Sequence, residues 1–223
     1  MLRDLPLFSS LSDSQFAALM SCSQRRSYLA RAHILRSGEQ PDALYVLLSG
    51  RARVLIDSYE SREFIVAVLG PHQFFGEQGL LDGGASPVSV ESQECCEILY
   101  IPRRRVLECL QQNADAAMQM LRIALGRLHD AHRKIEGLAL MTVYGRVARL
   151  LLECGYESNG EWRVDHGTEE IAAMVGASRE MVSRVLKDMS ETGSVRRDKR
   201  RLIVIDRTAV ADRMRASGGQ LAA

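Results

Sequence analysis

Residues 176–186 read GASREMVSRVL, and the fold of the C-terminal third turns on them. At about 100° per residue, positions 179 to 189 sort into two arcs that do not mix. Met181, Val182, Val185, Leu186 and Met189 form an apolar face suited to packing on another helix. Arg179, Glu180, Ser183, Arg184 and Lys187 form a bare polar face. Just upstream, TEEIAAMV predicts a short helix, capped at Thr168 and stopped by Gly176. Ser178 is well placed to cap the next helix, because its hydroxyl can accept from a free amide of the first turn or meet a phosphate. Helix, glycine-bearing turn and helix make a helix-turn-helix, whose second helix enters the DNA major groove N-terminus first. Arginine donates two hydrogen bonds to guanine, and glutamate accepts one from the cytosine amino group. As an exposed i,i+4 pair, Glu180 and Arg184 would contribute only tenths of a kcal/mol.

The flanking sequence supports the same reading. GSVRRDKRRLIVID predicts a hairpin, with strands 194–197 and 202–205 around a turn at 198–200. From Arg179 to Arg201 eight basic and four acidic residues give a local charge of +4, against +1 for the whole chain of 223 residues. Arg196, Arg197, Lys199 and Arg200 can then lie along the phosphate backbone and add salt-sensitive, sequence-independent affinity. TVYGRVARLLLECG predicts an amphipathic helix stopped by Gly155, and a last short helix is expected from Thr208.

Two other periodicities precede this region. The first hundred residues carry short apolar runs broken by Gly, Pro, Asp and Ser: ALYVLLSGRARVLI, EFIVAVLG, SPVSVES and CEILYI. The first reads as a hairpin about a Ser-Gly turn, and the set predicts a sandwich or barrel. A short helix capped by Ser12 is expected ahead of it, over SDSQFAALM. Then Ala117, Leu121, Ala124, Leu128, Ala131, Ile135 and Leu138 recur at spacings of 4, 3, 4, 3, 4 and 3. That seam predicts a dimerising helix of roughly 35 Å. Gly126 and Gly137 weaken it by up to about 1 kcal/mol each, and Gly137 marks a hinge near its end.

Composition narrows the class. Hydrophobic residues are 46% and charged residues 26%, the balance of a globular chain. The N-terminus lacks the apolar core of a signal peptide, and the longest apolar run, FIVAVL, is far too short to cross a membrane, so a cytoplasmic protein is expected. Cys22, Cys95, Cys96, Cys109 and Cys154 contain no C-x-x-C pair and read as buried reduced thiols, with a redox or iron–sulfur sensor as the alternative. His129 and His132 lack a third ligand at a recognisable spacing, so no metal site is expected. No Ser-His-Asp or Cys-His arrangement and no P-loop is legible, so catalysis is not expected.

GEQPDALYVLLSGRARV, FFGEQGLL and VGASREMVSRVLKDM together resemble the CRP/FNR family of bacterial transcription regulators, over nearly the whole chain. The resemblance implies an α+β fold: a cyclic-nucleotide-binding-like β-roll (jelly roll) over 1–112, a long dimerisation helix over 113–140 and a winged helix-turn-helix over 141–223. It implies a homodimer on a pseudo-palindromic, TGTGA-like double-stranded DNA site read by Arg179, Glu180 and Arg184, with RNA polymerase as a further partner. It also implies a ligand pocket at Gly76 and Glu77. The family's phosphate-holding Arg-Ser is replaced by Ser86 and Pro87, and its adenine-contacting Thr-Ser by Ala131 and His132. Losing a charge-assisted bond argues against conventional cyclic-AMP activation. Cyclic di-GMP or another nucleotide is then the candidate effector, with Glu77, Asp130, His132 and Arg133 as contacts. The alternatives are a ligand-independent regulator and a nucleotide-binding module that acts on a protein partner.

Overall fold

The computed structural model describes residues 3, 5–57, 63–198 and 201–218. The chain divides into two compact units, residues 1–129 and 130–223.

The first unit opens with two helices, α1 (Pro6–Ser9) and α2 (Asp13–Ser21). Strands β1 (Gln24–Tyr28), β2 (His33–Leu35), β3 (Ala43–Ser49), β4 (Ala52–Asp57), β5 (Glu63–Leu69) and β6 (Phe74–Phe75) follow. Then come α3 (Glu77–Asp82), β7 (Ser89–Ser92), β8 (Cys96–Pro102) and α4 (Arg103–Gln112), before the helix α5 (Ala114–Leu140). Ser12 caps α2 as expected, in a full capping box with Gln15.

The strands form two four-stranded antiparallel sheets, ordered β1-β8-β3-β6 and β2-β7-β4-β5. Strand β3 shows why its sequence is apolar throughout. Ala43, Tyr45 and Leu47 point into the space between the sheets, while Leu44 and Val46 join a second core with α1, α2, α4 and the start of α5. A strand covered on both faces has no polar alternation to show. The result is the β-roll that the resemblance implied.

One local expectation fails. β3 and β4 do not pair as a hairpin; they belong to different sheets. Gly50, at φ +83°, turns the chain between them, and a Cβ there would come within 2.5 Å of the Cys95 carbonyl oxygen. The antiparallel partners of β4 are β5 on one side and β7 on the other.

The second unit contains α6 (Val143–Glu153), β9 (Tyr156–Ser158), β10 (Glu161–Val164), α7 (Thr168–Val175), α8 (Arg179–Glu191), β11 (Val195–Asp198), β12 (Arg201–Val204) and α9 (Arg207–Ala216). One core joins Val147, Leu151, Ile171, Val182, Leu186, Leu202 and Met214 across its helices and its sheet, ordered β11-β12-β10-β9. Gly155 ends α6 where Trp162 packs; a Cβ would lie 2.0 Å from Trp162 Nε1, which donates to the Leu151 carbonyl at 2.9 Å. Thr168 is not the cap of α7: Gly167 holds that position, and the Thr168 hydroxyl accepts from Arg197 at 3.2 Å. The last helix starts at Arg207, one residue early, because Asp206 caps it.

The cysteines also depart from expectation. Cys96 is buried, Cys95 is exposed, and Cys22, Cys109 and Cys154 are partly exposed. Among the described residues, no helix is long and apolar enough to cross a membrane.

Candidate nucleic-acid interface and effector site

The helix-turn-helix is built locally. Gly176 takes the left-handed conformation, φ +62° and ψ +49°, which closes α7 and frees the chain to turn. Ser178 then caps α8, its Oγ accepting from the Met181 amide at 3.2 Å. Arg146 on α6 fixes the turn from behind. Its guanidinium donates to the Val175 carbonyl at 2.7 Å and to the Met141 carbonyl at 2.9 Å, two acceptors left over at helix C-termini.

Arg179, Glu180, Ser183, Arg184 and Lys187 all stand exposed on α8, while Val182, Leu186 and Met189 are buried. The buried arc is narrower than expected. Val185 is only partly covered, and Met181 is 46% exposed, beside the charged face instead of in the core. Its apolar spacing gave no sign of this, because the arc of α8 covered by the rest of the unit spans fewer side chains than the apolar arc of the wheel.

The charges around this face divide sharply. Lys187 lies 3.7 Å from Glu191, Arg196 2.8 Å from Glu161 and Arg201 2.9 Å from Asp165. Arg207 lies over the Trp162 ring and Arg197 reaches Thr168. Among the described residues of the second unit, Arg179 and Arg184 are the arginine and lysine side chains without a protein partner. The Glu180–Arg184 pair does not form. Lys199 and Arg200 lie outside the described residues.

Lining the proposed pocket, Gly76 sits at φ +85° with no room for a side chain, since a Cβ would meet the Tyr45 ring at 2.8 Å. Glu77 is buried, with 4% of its surface exposed, and ion-paired to Arg127 of α5. Arg127 also donates to the Phe74 carbonyl and places its guanidinium 4.9 Å from the centre of the Phe74 ring. A buried carboxylate requires such a partner. Sequence reading missed Arg127, although a signal exists. Ala116, Met120 and Ile123 pack on the first unit from one face of α5, and the spacing 4, 3, 4 places Arg127 next on that face.

Ser86 is buried, and its hydroxyl donates to the Val88 carbonyl at 2.8 Å. Asp130 and Arg133, exposed and assigned to the second unit, pair with each other; His132 is exposed. Along the seam of α5, Leu121, Leu128, Ile135 and Leu138 are exposed, joined by Met118 and Leu125, while Ala117, Ala124 and Ala131 are half-buried.

A β-roll in one unit and a helix-turn-helix in the other give this chain the architecture of a one-chain transcription regulator. Residues 25–113 match the cyclic nucleotide-binding domain and residues 145–213 the Crp-like helix-turn-helix domain. The chain is 32% identical over 186 residues to the cAMP-activated global transcriptional regulator Vfr of Pseudomonas aeruginosa, covering 79% of this chain and 87% of that one. It is 33% identical over 192 residues to the cyclic AMP receptor protein of Thermus thermophilus, covering 86% and 88%. The solved structure of the c-di-GMP responsive global regulator CLP of Xanthomonas campestris is similar at a TM-score of 0.74 and 26% identity, covering 86% of this chain and 99% of that one. The chain belongs to the CRP/FNR family of transcription regulators.

Proposed function

We propose that the protein is a homodimeric, sequence-specific DNA-binding regulator whose α8 reads base edges. The observation that carries this reading is the unpartnered pair Arg179 and Arg184 around Glu180, on a face otherwise free of the protein. Charges left solvated beside a capped helix N-terminus are ready for guanine, cytosine and phosphate. Met181 adds an apolar contact suited to a thymine methyl. Arg197 and the hairpin residues Lys199 and Arg200 serve the phosphate backbone. Arg196 serves it less, because Glu161 already neutralises it. Dimerisation runs through the exposed leucine and isoleucine stripe of α5, and the functional division follows 1–112, 113–140 and 141–223. RNA polymerase is a further partner in a cytoplasmic setting.

The effector we infer is a nucleotide second messenger at Gly76 and Glu77. The names of the relatives support a nucleotide, two of them cyclic AMP and one cyclic di-GMP. The committed Ser86 hydroxyl and the missing arginine beside it weigh against cyclic AMP. A ligand-independent regulator is the second reading, favoured by the Arg127–Glu77 pair, which satisfies the buried carboxylate from within. Calorimetric titration with cyclic AMP, cyclic GMP and cyclic di-GMP, run beside a gel shift on a TGTGA palindrome, tests both. A nucleotide that binds and changes the shift supports the first reading. A shift without any nucleotide binding supports the second.

A further inference from the structure

Helix α5 joins the second unit through charged groups instead of apolar packing. Among the described residues, no side chain of α5 belongs to the apolar core of that unit, which begins at Met141. Of the α5 residues in the second unit, 130–140, Gly137 alone is buried. Arg149 of α6 packs against it. With 10% of its side chain exposed, Arg149 donates from Nη1 to the Arg133 carbonyl at 3.2 Å, and its Nη2 lies 3.6 Å from Glu136 Oε2. A Cβ at Gly137 would already touch Nη1 at 3.5 Å, so a side chain larger than alanine would push the guanidinium away. One turn earlier on α6, Arg146 bonds to the Met141 carbonyl and to the Val175 carbonyl. Two arginines on one face of α6 thus tie the end of α5 and the helix-turn-helix to the same helix. Stability does not explain Arg149. Its Nε is buried without a hydrogen-bond partner among the described residues, and Glu136 is 44% exposed. A buried cation satisfied this incompletely adds little to stability over an apolar side chain of similar volume. The Arg133 carbonyl keeps its helical bond from Gly137, and water can solvate Glu136, so removing the guanidinium strands neither acceptor. What Arg149 supplies is direction, because a planar group that grips a carbonyl and a carboxylate together restricts the angle between the helices.

We propose that Arg149 is a positioning residue for DNA recognition: it fixes the angle between α5 and α6, and so sets the half-site separation that the dimer accepts. This rests on the proposed dimer through α5 and on base reading by α8. Val147 and Leu151 of α6 share a core with Val182 and Leu186 of α8, so α8 moves with α6. In a dimer joined along α5, the distance between the two reading helices then follows the angle at Gly137. A looser seat leaves each α8 its own half-site and lets the pair adapt to other separations.

The test uses the full chain, a TGTGA palindrome, and versions whose centre is longer or shorter by about one or two base pairs, read by fluorescence anisotropy. The native protein is expected to prefer one separation by about tenfold or more. Arg149→Met should cut that preference to about threefold or less and leave discrimination at single bases of a half-site unchanged. Arg149→Lys, which keeps the charge but not the planar grip, should recover only part of it. Loss of folded protein lowers binding to every DNA in proportion and leaves the ratio between separations fixed, so a merely structural role would not move this readout. A full preference in a folded Arg149→Met variant would overturn the proposal. Glu136→Arg, at a half-exposed site, repels Arg149 from its seat and answers the question where Arg149→Met does not fold; a full preference there overturns the proposal equally. Native protein that binds every separation alike sinks this inference alone, whereas native protein that binds no palindrome contradicts the DNA-reading function beneath it.

Discussion

Arg179, Glu180 and Arg184 sit on a helix whose other charges are largely matched inside the protein, and their bareness is what the proposed base-reading role rests on. Arg179→Ala or Glu180→Ala is expected to remove about 1–3 kcal/mol of discrimination at particular base pairs and to leave the others intact. Arg197→Ala should instead weaken all sequences alike and lower the salt slope of binding by about one, read from titrations at several salt concentrations. His166 yields a pH prediction. Its folded pKa, about 9, stands above its ordinary value near 6.5. The stabilisation from its charged form is therefore full below 6.5 and lost as pH rises through 9. Thermal unfolding of the protein from pH 6 to about 10 should show that decline, and His166→Gln should flatten it. The exposed charged face of α8 was legible in sequence because the wheel separates it cleanly from the apolar arc. Arg127 was not. It is a cation on an otherwise apolar face, and an apolar pattern does not announce a charge among its members.

At the scale of elements, periodicity announced most of the chain, and its failures have physical causes. β3 and β4 read as a hairpin because both are apolar and a Ser-Gly pair lies between them. Sequence alone does not show that Gly50 packs against the Cys95 carbonyl and sends the chain to another sheet. Helix α5 carries two apolar stripes: Ala116, Met120 and Ile123 toward the first unit, and the exposed stripe through Leu121 and Leu128. Only the exposed stripe was legible, because its heptad spacing is regular. With the proposed dimer through this stripe, Leu128→Asp should raise the dimer dissociation constant by at least about tenfold in sedimentation equilibrium, since a leucine covered by the second copy would become a charge. The close approach at the end of α6 supplies a stability test. Gly155→Ala should destabilise the protein by about 1–3 kcal/mol in urea unfolding, because Trp162 has nowhere to move without losing its bond to Leu151.

Across the whole molecule, a cyclic-nucleotide-binding-like β-roll and a helix-turn-helix share one chain, so the proposed signal acts only if it binds their alternative states with different affinity. Glu77 already has its counter-charge in Arg127, and any ligand that uses this carboxylate competes with that pair. Arg127→Ala should therefore raise affinity for a nucleotide that uses Glu77 or destabilise the roll by leaving a buried charge unpaired; calorimetry and unfolding, run together, tell which dominates. The most direct measurement remains the DNA itself: competition binding of the full chain to a TGTGA palindrome and each of its single-base variants, followed by fluorescence anisotropy, for the native protein and for Arg179→Ala. The predicted result is strong discrimination by the native protein and its selective loss at one base pair of each half-site in the variant. Indifference of the native protein to the substitutions, or an equal loss at every position in the variant, would contradict base reading by α8.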